Sequence, residues 1–199
     1  MSRALIVIDV QESFRQREIW RTTSNPDLAD DVNALVHAAR ADGDLVVWVL
    51  HAEPGTGGVF DPVNGHVHLL PELDYRDDEP LLVKTSINAF TTTNLAQLLT
   101  RHGVGELRVC GIRAEQCVET TTRVGADLGY AMTYVVDATA SFATPHPDAP
   151  ADSTVDEILA DPRTKHADEI VAHAAFILAA RGFATVTTVA EVAGTLTGS

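Results

Sequence analysis

The stretch Leu107-Arg108-Val109-Cys110-Gly111-Ile112-Arg113-Ala114-Glu115-Gln116-Cys117-Val118 decides the fold. Leu107 to Cys110 forms an apolar, strand-like run, and a helical stretch follows from about Glu115 to Gly129. A thiol at Cys117, where a strand gives way to a helix, lies close to free backbone N–H groups and to the positive end of a helix dipole. Both favour the thiolate, which is the nucleophilic form. Taken alone, Cys117 also reads as a small buried hydrophobe, and that is the better reading of Cys110 inside its strand.

The same alternation of strand and helix extends in both directions. Ala4 to Ile8 is a continuous apolar run, as in a strand buried on both faces. Asn25-Pro26 reads as a helix cap and first-turn proline, with Leu28, Val32, Leu35, Val36 and Ala39 at helical spacing and Gly43 as the stop. Further strands are expected at Leu45 to Leu50, Pro80 to Val83, Ala131 to Val136 and Ala184 to Val189. Leu95, Leu98 and Leu99 mark a helix ending at Gly103, and a broken helical region runs from Ser153 to Ala180 with Pro162 at the break. Strands alternating with helices imply a parallel sheet covered on both faces. Ligands of such sheets bind beyond the carboxyl ends of the strands, near the switch point of the topology.

Composition bounds the class. The chain has 199 residues, 45% hydrophobic and 21% charged, which suits one globular domain over residues 1–199. A formal net charge of −14 argues against nucleic acid and anionic membranes as partners, because both need a basic face. No apolar run is long enough to span a bilayer. Met1-Ser2-Arg3 enters the first strand without the apolar stretch of a signal peptide, and two Cys make no disulfide framework. A cytoplasmic location is therefore expected. Two long loops, His51 to Glu79 and Ser141 to Ala151, are candidates for binding elements or subunit contacts.

Three polar residues fall at carboxyl ends of strands: Asp9 after the first, Lys84 after the third and Cys117 after the fourth. Each has a plainer reading, as a turn cap, a solvated strand terminus and a core residue respectively. Their convergence on one sheet edge favours a site. A thiol needs a base, which Asp9 can supply. A carboxylate beside a thiolate needs a cation, which Lys84 can supply. Backbone N–H groups near Arg113 and Cys117 are available to hold an oxyanion.

The motifs themselves resemble a known family. Ala4-Leu5-Ile6-Val7-Ile8-Asp9-Val10-Gln11-Glu12-Ser13-Phe14, then Val83-Lys84-Thr85-Ser86-Ile87-Asn88-Ala89-Phe90, then Gly111 to Val118 resemble, in order, three motifs of the isochorismatase-like cysteine hydrolases. The resemblance implies a Rossmann-like three-layer α/β/α sandwich with a mainly parallel six-stranded sheet. It implies an Asp9–Lys84–Cys117 catalytic triad and a cis peptide joining Ile112 to Arg113, which would aim the N–H groups of Arg113 and Cys117 at an oxyanion. Ala114 departs from the pattern, since many members carry a hydroxyl residue there. Nicotinamidases of the superfamily carry a metal on an Asp-x-His…His set that this chain lacks. His51-x-Glu53 with His66 or His68 has the donor types for zinc, but no metal and no other cofactor is expected.

The resulting expectation is a cysteine-dependent amidohydrolase acting on a small-molecule C–N bond through a thioester. Its alternatives are an isochorismatase-type vinyl-ether hydrolase, or a catalytically silent binding protein on the same fold. Phe14 and Phe90, just past triad residues, are pocket candidates together with His51 and Asn88. A homodimer or larger closed homo-oligomer is expected, with Phe60, Val67, Leu69 and Phe142 as candidates for the contact.

Overall fold

A computed structural model of the protein describes residues 2–194. Six strands form one sheet: β1 (Ser2–Ile8), β2 (Leu45–His51), β3 (Leu81–Lys84), β4 (Val104–Ile112), β5 (Ala131–Ala140) and β6 (Thr185–Thr187). Their order is β3-β2-β1-β4-β5-β6, and every pairing is parallel. The chain works outward from β1 to β3, then crosses back to begin again at β4. The switch point therefore lies between β1 and β4, the two strands that precede Asp9 and Cys117.

Strand alternation builds the two outer layers. Leu5 and Val7 face α2 (Leu28–Asp42) and α7 (Val189–Gly194), while Ala4, Ile6 and Ile8 face the other side. That second side is covered by α3 (Leu95–Arg101), α4 (Glu119–Asp127) and α6 (Ala167–Ala180), the last preceded by the short α5 (Val155–Ala160). Each fully buried Leu, Ile or Val contributes about 1.5–3 kcal/mol. The continuous apolar runs in β1 and β2 exist because both of their faces are covered.

The boundaries differ from the expectations in instructive ways. The first long helix begins at Leu28, not beside Pro26: Asn25 Oδ1 accepts from the Asp27 N–H at 2.9 Å, so Asn25 organises the turn before the helix. Gly43 ends that helix at φ +76°. The last strand stops at Thr187, and Val189 opens α7 instead of closing the strand. The short helix α1 (Glu12–Arg15) and the 3-10 turn at Glu18–Thr22 carry no periodicity long enough to be seen in advance. Phe60 and Phe142, expected as subunit-contact candidates, fold back into their own core against Phe14, with ring centroids 4.9 and 5.5 Å away. Aromatic burial is worth more inside the domain than held in reserve at a surface.

One glycine is required outright. Gly111 sits in β4 at φ +125°, and a Cβ there would lie 1.9 Å from the Ile8 carbonyl oxygen. β1 and β4 thus approach too closely at their carboxyl ends for any side chain. Gly111→Ala is expected to lower stability by about 3 kcal/mol or more. Thermal denaturation checks this; an unchanged Tm would mean that the two strands can separate at no cost.

Candidate active site

Gly111 leads into the segment that presents the thiol. The Ile112–Arg113 peptide is cis. Ala114–Val118 then forms one π-helical turn, with the Val118 N–H donating to the Arg113 carbonyl at 3.2 Å before α4 begins at Glu119. Such wide turns are frequent at functional sites. Ala114 is buried against Val171 and Ala174 of α6, where a small apolar side chain is what the packing admits. Arg113 stacks on Phe142 at 5.4 Å, approaches Glu115 Oε1 at 3.2 Å and donates to Thr144 Oγ1 at 3.2 Å.

Asp9 follows β1 with φ +55°, a left-handed conformation that only Asp and Asn among side-chain-bearing residues adopt with any ease. Its N–H still donates to the Val49 carbonyl, so the sheet continues one residue past the strand. Lys84 is the last residue of β3. The three side chains meet at the sheet's carboxyl edge. Lys84 Nζ lies 2.7 Å from Asp9 Oδ2 and donates to Cys117 Sγ at 3.3 Å. Asp9 and Lys84 are both 0% exposed, so a full ion pair is held out of water beside the thiol.

Burial dominates the electrostatics. It pushes the Asp9 carboxyl above the usual carboxylate range, and the Lys84 ammonium pulls it back in part. Burial and the Asp9 charge together push the Cys117 thiol up to about 12, against the opposing effect of Lys84. The pull of the helix start toward the thiolate is thus outweighed. A terminal dipole is worth too little to offset a desolvated thiol next to a carboxylate. The thiol is thus held protonated, beside the carboxyl group placed to take its proton. Cys110 is also pushed up to about 12, by burial alone, and has no charged partner.

The pocket candidates divide. His51 reaches the site: its Nδ1 lies 3.3 Å from Lys84 Nζ, and its ring meets Phe60 edge-on at 5.7 Å. Phe14 packs between Phe60 and Phe142, one layer behind it. Asn88 is committed to its own turn, accepting from the N–H groups of Phe90 and Thr91 at 2.9 Å. Phe90 stacks on Tyr130 at 5.9 Å, within the layer that covers the sheet. Gln11 was not singled out in advance. It is fully buried, accepts from the His51 N–H at 2.7 Å and donates to the His51 carbonyl at 3.0 Å. A buried Gln two residues past a site carboxylate is the signal that could have revealed it. A cavity of about 570 Å³ opens on the other side of Arg113, bounded by Gln116, Thr144, Lys165 and Ile170. Among the described residues no group of three or more His, Cys, Asp or Glu could hold a metal ion. None of their helices is long and apolar enough to cross a membrane.

The open parallel sheet gathers an acid, an ammonium and a thiol at the carboxyl ends of its strands, the edge where α/β sheets bind their ligands. The chain belongs to the isochorismatase family: the family model of the isochorismatase domain matches residues 3–160. The chain is 34% identical over 145 residues to streptothricin hydrolase of Streptomyces noursei, a match covering 72% of this chain and 56% of that protein. It is 26% identical over 170 residues to the ureidoacrylate amidohydrolase RutB of Klebsiella pneumoniae, covering 68% and 72%. The crystal structure of an isochorismatase from Pseudomonas putida KT2440 superposes with a TM-score of 0.76 at 30% identity, covering 95% of this chain and 89% of that one.

Proposed function

We propose that the protein is a cysteine amidohydrolase that cleaves a C–N bond in a small molecule. The observation that carries this reading is the buried Lys84 ammonium lying between the Asp9 carboxylate and the Cys117 thiol. Asp9 takes the Cys117 proton as sulfur attacks the carbonyl carbon, so charge moves onto the carbonyl oxygen. The backbone N–H groups of Arg113 and Cys117 hold that oxyanion. Lys84 keeps the site neutral overall while the thiolate character develops. Asp9 then returns the proton to the departing nitrogen, which leaves as an amine or ammonia, and a thioester remains on Cys117. Water attacks the thioester with Asp9 as base again, releasing the carboxylic acid and restoring the thiol. Relatives named as a hydrolase and an amidohydrolase support the reaction class.

A panel of amides and lactams, assayed for amine or ammonia release in EDTA, tests the reading. Turnover that needs Cys117 and survives chelation is the expected result. Turnover lost in EDTA and restored by a metal would overturn the metal-free mechanism. A second reading, acid-catalysed cleavage of a vinyl ether, draws on the raised Asp9 carboxyl, which would suit a proton donor. A vinyl ether cleaved equally well by the Cys117→Ala variant would carry it.

A further inference from the structure

Lys84 makes a third contact that the triad chemistry leaves unused. An ammonium has three hydrogens, and three groups stand around this one: Asp9 Oδ2 at 2.7 Å, Cys117 Sγ at 3.3 Å and His51 Nδ1 at 3.3 Å. A charged lysine has only donors, so this contact assigns His51 Nδ1 as an acceptor and puts the ring proton on Nε2. Nε2 faces Glu53 Oε1 at 3.3 Å, an acceptor suited to that proton. The chain Asp9–Lys84–His51–Glu53 is therefore consistent from end to end, running from a fully buried carboxylate to a half-exposed one.

The imidazole is also held from the other directions. Gln11 clamps the His51 main chain on both its N–H and its carbonyl, and Gln11 Nε2 also donates to Ser13 Oγ at 2.9 Å. Phe60 meets the ring edge-on, and the Phe60 carbonyl accepts from the Glu53 N–H at 2.8 Å, tying the Glu53 main chain to the aromatic layer. A side chain placed only to fill space would not need its backbone, its ring face and both ring nitrogens specified. A lysine has four rotatable side-chain bonds, and a buried one that can turn away from its partners loses its orientation.

We infer that His51, backed by Glu53 and clamped by Gln11, is a positioning residue that aims the Lys84 ammonium into the Asp9–Cys117 pair. This inference rests on the amidohydrolase reading of that pair. It makes His51 part of the charge-holding apparatus and not a surface for the substrate. The contact is conserved through the proposed reaction, because neither ring nitrogen of His51 exchanges a proton with the reacting atoms.

The test reads the thiol directly and needs no identified substrate. Cys117 alkylation by iodoacetamide is followed by peptide mapping in the full-length protein, with Cys110 as the internal control. His51→Phe removes the acceptor and should slow Cys117 alkylation about tenfold, the size of one hydrogen bond to a charged group. His51→Asn places an amide oxygen near the Nδ1 position and should restore the rate to within roughly threefold of the natural protein. Glu53→Ala, at a half-exposed site that tolerates substitution, should slow it by roughly threefold and carries the test if His51→Phe does not fold. On any amide found to be a substrate, His51→Phe should lower kcat with KM nearly unchanged. Alkylation of His51→Phe at the natural rate, or a rise in KM with kcat preserved, overturns the inference and leaves the amidohydrolase reading standing. Cys117 no more reactive than Cys110 in the natural protein overturns the nucleophile assignment, and the role of His51 falls with it.

Discussion

Replacing Cys117 by alanine should reduce amide turnover by about three orders of magnitude or more, whereas Cys110→Ala should leave it within roughly twofold. The two thiols are alike in several respects. Both are buried, both are free and both are pushed up to about 12. They differ in what surrounds them. Cys110 lies in β4 among apolar residues of the α2 face, and nothing there can accept its proton or stabilise its anion. Cys117 has an ammonium at 3.3 Å and shares that ammonium with a carboxylate. Its thiolate forms when a base acts, not at rest. Steady-state kinetics on a substrate from the amide panel, with both variants, decides the matter. Equal losses from the two substitutions would point to general destabilisation, and an active Cys117→Ala enzyme would remove the thiol from the mechanism.

Breaking the Asp9–Lys84 pair should unsettle the fold as well as the chemistry. Asp9→Asn leaves a wholly buried ammonium without its counter-charge, and Lys84→Ala leaves a wholly buried carboxylate. Removing one partner of a buried pair costs about 3–5 kcal/mol. Asn adopts the left-handed conformation of Asp9 readily, so backbone strain adds little to that cost. The double variant Asp9→Asn/Lys84→Met removes both charges. It should recover most of the lost stability while turnover stays about a thousandfold down. Urea denaturation and kinetics on the three proteins separate the two effects. Single variants as stable as the natural protein would mean that water reaches the pair and solvates whichever charge is left.

The reading of the sites divides along similar lines. Asp9, Lys84 and Cys117 were legible because each lies at the carboxyl end of a strand, a position set by local patterning, and because three motifs occur in order. His51 was visible only as a pocket or zinc-donor candidate, since its spacing from Lys84 in the chain says nothing of a 3.3 Å contact. Gln11 escaped for the same reason, and Phe60 was legible only as a subunit-contact candidate: a clamp on a neighbouring strand's backbone and an edge-on ring are long-range facts. Asn88 sits in a motif yet is bound up in its own turn, where an Asx side chain finds backbone N–H groups two and three residues ahead.

By itself the sequence determined the layer order of this protein. Continuous apolar runs in β1 and β2 demand cover on both faces, and parallel strands joined by right-handed crossovers leave few arrangements open. It also determined which residues stand at the switch point, because strand ends follow from local pattern. Tertiary structure alone decided the protonation of the site. Whether Cys117 rests as thiol or thiolate depends on the water excluded around it and on the carboxylate brought beside it from a strand 108 residues earlier in the chain, counted from Asp9 to Cys117. Desolvation and charge proximity act through space, and no local pattern encodes them.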